Sequence, residues 1–237
     1  MNRAIACSNR YEGEREEIIS ILRNAWEREA KPEMGGRFGC VFHPGLKYAP
    51  EIAPFYAKPE AITVMRTVVA DVVRMAHSGV LLIDETRDFC AWHCHLNGDT
   101  SNQWESKPKG HRGQVDRVLC NIYLHGSNED VGQLLVFPRK TTDAWVQPSD
   151  DFETEWQGQH ILEFPPGSAV IFDTALWHAA RQPTKSCTRY LFGGHYQRRQ
   201  NLTPHREDNR HDGPEIEKYR AEIPMFASLV SARATSG

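Results

Sequence analysis

Trp92-His93-Cys94-His95 sets two histidines at positions i and i+2. On an extended strand that spacing puts both imidazoles on one face. Imidazole is a common ligand for Fe, Zn, Cu and Ni. A third candidate ligand, His178, lies far downstream, after Pro165-Pro-Gly-Ser-Ala-Val-Ile-Phe-Asp-Thr-Ala-Leu-Trp. There a Pro-Gly turn feeds an apolar strand, which is expected to deliver His178 at its far end. The next strand-like run holds Thr188-Arg189-Tyr190. If the two strands pair through a turn near Pro183, Arg189 points into the same cavity as His178. A guanidinium inside a fold needs an anionic partner, and its fork can hold a carboxylate bidentately.

A metal beside a buried carboxylate-binding arginine is the physical outline of a 2-oxoglutarate site, in which the keto acid chelates iron and its distal carboxylate meets the arginine. Zinc is the competing reading of Cys90, His93, Cys94 and His95. Structural zinc usually takes two separated knuckles, and this compact run has no second one.

The elements that must position these residues are legible in outline. Residues 14–28 read as an amphipathic helix with Ile18, Ile21, Leu22, Ala25 and Trp26 near helical spacing, and acidic residues crowd its first turn. Residues 31–58 are Gly- and Pro-rich and are expected to be loop. Pro59 can open a second helix, with Ile62, Met65, Val69, Val72 and Val73 as its buried face and Gly79 at its end. Short apolar runs follow at 80–83, 89–96, 118–124, 134–137, 161–164, 169–172 and 189–196, the pattern of a sandwich or barrel. Helices first and strands later predict an α+β, mainly β fold. The long polar segment 97–117 is expected to be a lid or binding loop. Trp104, Trp145 and Trp156 are candidates for a substrate cavity, although such tryptophans more often pack.

The 237 residues are read as one domain with a flexible tail from about 201. The composition is globular, 40% hydrophobic and 25% charged, with a formal net charge of −3. Without a basic excess, nucleic acid is not an expected partner, although Lys107, Lys109 and Arg112 could form a local patch. No apolar run is long enough to span a membrane and the N-terminus does not read as a signal peptide, so the expectation is a cytoplasmic protein. The six cysteines show no framework spacing and are expected to be free thiols.

From roughly Ala53 to Arg198 the chain resembles the phytanoyl-CoA dioxygenase-like group of Fe(II)/2-oxoglutarate oxygenases. The resemblance rests on Phe55-Tyr-Ala-Lys-Pro-Glu-Ala-Ile-Thr-Val, Trp92-His93, Leu119-Cys-Asn-Ile-Tyr-Leu and Val131-Gly-Gln-Leu-Leu-Val-Phe-Pro. It continues through Pro166-Gly-Ser-Ala-Val-Ile-Phe and Trp177-His178, with Arg189 behind. It implies a double-stranded β-helix, a cupin-like jelly-roll barrel flanked by N-terminal helices. It implies Fe(II) and 2-oxoglutarate as cofactors, with O2 and a small molecule as substrates.

That family holds its metal with His-x-Asp and a distal His, the facial triad of non-haem iron oxygenases. His93 and His178 match, but His95 stands at the carboxylate position. Ala180 stands where the family often has a hydroxyl residue two after the distal His, so Asn121 or Tyr123 would have to help Arg189 hold the keto acid. Three readings of the missing carboxylate stay open. His95 ligates in its place; Asp99 swings in from the Asn97-Gly98 turn; or the site binds metal poorly and activity is lost. A halogenase is disfavoured, because a ligating imidazole would fill the position that chemistry needs open.

The resemblance implies a dioxygenase acting on a C–H bond, with hydroxylation as the usual outcome and desaturation or ring formation as others. The alternatives are a three-histidine iron oxygenase that does not use 2-oxoglutarate, and a non-catalytic metal- or ligand-binding barrel. Trp104 and Arg112 are the candidate substrate contacts. No adenine or phosphate cradle is visible, so the expected substrate is a small polar metabolite and not a coenzyme A thioester.

Overall fold

The computed structural model describes residues 6–8, 10–95, 115–138, 147–199 and 211–230, with side chains from residue 10 onward. Helix α1 (Arg15–Arg28) carries Glu16 and Glu17 in its first turn and buries Ile18, Ile19, Leu22 and Ala25. The stretch expected to be loop holds short elements: β2 (Cys40–Phe42), α2 (Gly45–Tyr48), a 3-10 turn (Pro50–Ile52) and α3 (Ala53–Tyr56). Here the prolines mark helix starts: Pro44 precedes α2, and Pro50 and Pro54 stand in the first turns of the next two.

Helix α4 (Pro59–Val69) is shorter than expected. Ala70 adopts a left-handed conformation (φ 54°) and closes it, and β3 (Val73–Ile83) begins almost at once. Val73 therefore opens the strand, as its stiff β-branched side chain favours, and Val72 lies exposed just before it. Gly79 lies inside β3 opposite Gly193 and does not cap a helix.

The remaining strands are β4 (Cys90–His93), β5 (Arg117–Tyr123), β6 (Leu134–Val136), β7 (His160–Leu162), β8 (Ser168–Asp173), β9 (His178–Ala180) and β10 (Arg189–Arg198), with β1 (Ala6–Ser8) at the N-terminus. They form two antiparallel sheets, ordered β1-β8-β5-β10-β3-β2 and β4-β9-β6-β7. From β3 to β6 and from β8 to β10 the chain alternates between the sheets, which is the winding of a jelly roll. The sheets face one another across a cavity but do not close into a barrel among the described residues.

The alternation of β-strand side chains sorts the six-stranded sheet into two faces. Val80 and Leu82 on β3, Ile122 on β5 and Phe192 on β10 pack outward with Leu22, Ile62 and Met65 in the main core. Leu81, Ile83, Leu119, Tyr123, Arg189 and Leu191 face the cavity. Each fully buried Leu, Ile or Met in that core contributes roughly 1.5–3 kcal/mol of transfer free energy. That layer holds the cavity floor flat against the helices.

The expected flexible tail is in part ordered. Helices α5 (Pro214–Glu222) and α6 (Pro224–Leu229) bury Ile216, Phe226 and Leu229 in the main core. Val230 is buried with them, and Tyr219, Ile223 and Met225 pack against the same core, so apolar contacts dock a segment that also carries several charges. No helix among the described residues is long and apolar enough to cross a membrane. Cys40, Cys90, Cys94, Cys120 and Cys187 are free thiols.

Candidate metal centre and anion pocket

His93 ends β4 and His178 begins β9, and the two are direct partners across that antiparallel pair. Their neighbours Trp92 and Trp177 therefore point to the other face of the sheet. There Trp92 stacks on Trp156 at 4.5 Å, and Trp156 meets Trp177 edge-on at 5.5 Å. The indole N–H of Trp92 donates to the Thr154 carbonyl (2.9 Å) and that of Trp156 to the Asp151 carbonyl (2.6 Å). This dry aromatic block backs the two histidines. Trp156 is thus a packing residue and does not line the cavity.

Two sequence expectations change at this point. The apolar strand ends at Asp173, not at His178. The backbone N–H of Leu176 donates to the Asp173 carbonyl (2.9 Å) and that of Ala175 to its side chain (3.0 Å). That tight turn carries the chain from one sheet to the other. Nor do the strands bearing His178 and Arg189 pair: β9 and β10 belong to different sheets, and Arg189 reaches the cavity from the opposite wall. His95 lies two residues beyond His93 but outside the strand, held by its backbone N–H to the Thr174 carbonyl (2.8 Å).

The three imidazoles converge all the same. One nitrogen from each of His93, His95 and His178 lies within 4.8 Å of the others, and all three residues are buried. His93 Nδ1 is 2.7 Å from the Ala91 carbonyl, and His178 Nδ1 is 3.0 Å from the Leu176 carbonyl. A carbonyl can only accept, so both Nδ1 atoms carry the proton and both Nε2 lone pairs face inward. This is the tautomer a metal requires. His95 Nε2 and His178 Nε2 are 3.3 Å apart. Burial, reinforced by His93 and His95, holds the His178 imidazole well below its usual pKa and keeps it neutral. Among the described residues no other set of three His, Cys, Asp or Glu side chains converges in this way. Cys90 lines the cavity apart from this set, and Cys94 belongs to the tryptophan block. A zinc site using those thiols has no geometric support.

At the other end of the cavity Arg189 is 1% exposed. Its Nη1 donates to the carbonyls of Val131 (3.0 Å) and Gly132 (2.9 Å), and its guanidinium lies over the Tyr123 ring at 4.9 Å. Its Nε is buried with no hydrogen-bond partner among the described residues. No carboxylate pairs with it there. Burial lowers its pKa to about 10, with Arg87 adding to the effect, so it remains cationic near neutral pH. Arg87, which the sequence reading missed, is also 1% exposed and lines the same cavity. It donates to the Ala180 carbonyl (3.3 Å) and to the Arg181 carbonyl. The described residues lining this cavity of about 340 Å³ include no Asp or Glu. Two buried cations in such a wall call for an anion.

Asn121 and Tyr123 also line the cavity, Tyr123 as the platform under Arg189 and Asn121 over Gly193. A side chain at Gly193 would collide with Asn121 Oδ1 and the Cys120 carbonyl, so glycine is what lets Asn121 lie across the strand. Asp99, Trp104, Arg112 and Trp145 lie outside the described residues. Beyond Arg87, the sequence reading also missed His43, His77 and His195, all on the cavity wall. His195 shares strand parity with Arg189, and that signal could have found it.

No protein-family model matches the chain, and no curated protein matches it. Solved structures do. The non-heme alpha ketoglutarate dependent carbocyclase SnoK from nogalamycin biosynthesis superposes with a TM-score of 0.63 at 15% identity, covering 83% of this chain and 80% of that one. HygX from Streptomyces hygroscopicus, with nickel and 2-oxoglutarate bound, gives 0.64 at 14% identity over 84% of each chain. EctD from S. alaskensis, with 2-oxoglutarate and 5-hydroxyectoine, gives 0.61 at 14% identity over 84% of this chain and 74% of that one. At such identities the likeness is one of fold, and it establishes the two-sheet jelly roll as the architecture that carries the three histidines and the buried arginine.

Proposed function

We propose that this chain is a non-haem Fe(II)/2-oxoglutarate-dependent oxygenase that acts on a C–H bond of a small molecule, most often by hydroxylation. Its kinship would lie with the phytanoyl-CoA dioxygenase-like group. The observation that carries the proposal is the pairing of two features in one cavity. Three buried imidazoles converge at one place, and a buried arginine with no carboxylate partner among the described residues waits at another. Fold neighbours that bind iron or nickel together with 2-oxoglutarate support it.

In this reading His93, His95 and His178 hold the metal, with His95 replacing the carboxylate of His-x-Asp. Iron and 2-oxoglutarate, when bound, would activate O2, the oxidant, with one oxygen atom going to the keto acid as it leaves as succinate and CO2 and the other to the substrate C–H bond. The protein's part is to bind, orient and exclude water. The Ala91 and Leu176 carbonyls fix the ligand tautomers. Arg189 takes the distal carboxylate of the keto acid, steadied by Tyr123 below and the Val131 and Gly132 carbonyls beside it. Asn121 is placed to contact the bound acid from the floor. The tryptophan block keeps water from the back of the ligand strands. Small molecules bound by the fold neighbours, such as 5-hydroxyectoine, support a small-molecule substrate over a macromolecule.

The test is anaerobic titration of Fe(II)-loaded protein with 2-oxoglutarate, followed by a visible chelate charge-transfer band, and then oxygen addition with succinate analysis. A band without succinate under any substrate screened would favour a non-catalytic site. Oxygen uptake without succinate would favour a three-histidine oxygenase in which substrate itself chelates iron, a reading that the all-imidazole set permits but that leaves the buried Arg189 without a role.

A further inference from the structure

Four histidines form a continuous row from solvent to the candidate metal centre. His43 and His77 have ring centroids 4.2 Å apart, His77 and His195 4.8 Å, and His195 and His95 4.8 Å. Exposure falls along the row: His43 is exposed, His77 half-buried, and His195 and His95 buried. The first three belong to different elements. His43 follows β2, His77 lies on β3, and His195 lies on β10 directly opposite His77. The fold therefore assembles the row from segments distant in sequence.

The row and the anion pocket occupy opposite ends of one floor. On β10 the cavity face runs from Arg189 through Leu191 and Gly193 to His195, a span of about 20 Å at the usual rise per residue. Between them the paired Gly79 and Gly193 leave the floor low. If the keto acid occupies the Arg189 end, the end that opens at His43 is left for the substrate.

We propose that His43, His77 and His195 form the substrate-recognition arm of this cavity, and that it takes an anionic small molecule docked through a carboxylate or phosphate group. The inference rests on the functional reading above for which end the keto acid fills. Three observations select the chemistry. The imidazole faces are turned largely toward each other, with interplanar angles of 32° and 35°, so their edges and not their faces meet a ligand. Each imidazole edge offers an N–H donor whether the ring is neutral or charged. The described cavity wall has no Asp or Glu to receive an amine.

Charge balance points the same way. When bound, a ferrous ion and a dianionic keto acid would cancel, imidazoles acting as ligands would add no charge, and Arg87 and Arg189 leave the described cavity wall positive. A cationic substrate would enter against that field, whereas an anionic one is drawn along it. Phe38 and Val41, beside the row, supply apolar contact for the substrate's carbon frame.

The experiment is anaerobic calorimetry on the nickel-loaded chain with saturating 2-oxoglutarate. The probes are benzoate and phenyl phosphate, with benzamide and benzylamine as neutral and cationic controls. One or both anions bind, and the tighter names the oxyanion preferred; the controls do not bind. His77→Leu weakens the anion roughly tenfold or more, as loss of a hydrogen bond to a charged group does. His43→Ala, at an exposed position that folding tolerates, weakens it by less, and His195→Gln, which keeps a donor, retains binding. The 2-oxoglutarate affinity is unchanged in His77→Leu and His43→Ala.

Benzylamine binding as tightly as the anions overturns the proposal, as does anion binding that is absent from the wild type or indifferent to both His77→Leu and His43→Ala. Arg189→Ala separates this inference from the functional one, because it weakens 2-oxoglutarate by roughly tenfold or more and spares the probe. If 2-oxoglutarate fails to bind the wild type while the histidine-dependent anion binding persists, the functional reading falls and the subsite stands.

Discussion

His93 and His178 are opposed residues of one antiparallel strand pair, with ring centroids 4.1 Å apart. This places two candidate ligands by backbone hydrogen bonding and not by side-chain preference. Their positions are therefore as rigid as the sheet, and His95, beyond the strand end, is the adjustable member.

Substitution of either paired histidine should cost the most. His93→Ala and His178→Ala are expected to lose more Fe(II) affinity than the roughly 10–100-fold that follows loss of an outer-shell partner. His95→Asp, which restores the His-x-Asp pattern, is expected to retain the metal. Competition with a coloured chelator under anaerobic conditions measures all three. Metal affinity unchanged in His93→Ala would remove that residue from the ligand set.

Arg189→Ala should weaken 2-oxoglutarate by roughly tenfold or more, because a charge-assisted contact made in a dry pocket is lost. Arg189→Lys should recover only part of this. An ammonium lacks the planar fork that the Val131 and Gly132 carbonyls and the Tyr123 ring hold in place. Titration of the chelate band at increasing 2-oxoglutarate gives both affinities.

Gly193→Ala is expected to destabilise the fold by about 1–3 kcal/mol and to displace Asn121, since the added methyl meets Asn121 Oδ1 and the Cys120 carbonyl. Denaturant unfolding checks the first effect. A wild-type midpoint would show that the strand has room to shift.

Trp92→Ala should cost about 3–5 kcal/mol, because it removes a fully buried indole that stacks on Trp156, which in turn packs on Trp177. Metal affinity should fall with it, as the backing of His93 loosens. Thermal unfolding and the chelator assay should move together.

His125 gives the stability a pH dependence. Its Nδ1 accepts from the Tyr190 backbone N–H (3.2 Å), and burial, with Arg15 and Arg189 adding to it, pushes its pKa down to about 4. The unfolded chain binds a proton near pH 6.5 that the folded chain refuses until about 4. Stability is therefore full above pH 6.5 and declines as pH falls through that window. His125→Gln should flatten this part of the profile, read from denaturant midpoints between pH 7 and pH 4.

Local chemistry carried much of this protein into view. The spacing of His93 and His95, the approach to His178 and the position of Arg189 named the candidate site residues. Hydrophobic periodicity found α1, the start of α4 and the short strands, because burial imposes a repeat that any single segment displays. Pairing across sheets has no such local trace. Only the tertiary structure decided that β9 and β10 face each other from different sheets. It also turned the Gly- and Pro-rich stretch into short helices, and it docked part of the tail through Ile216, Phe226 and Leu229. The same holds for Arg87 and for the row from His43 to His195. Their partners are distant in sequence, and a contact set by strand register becomes visible only when the strands have been brought together.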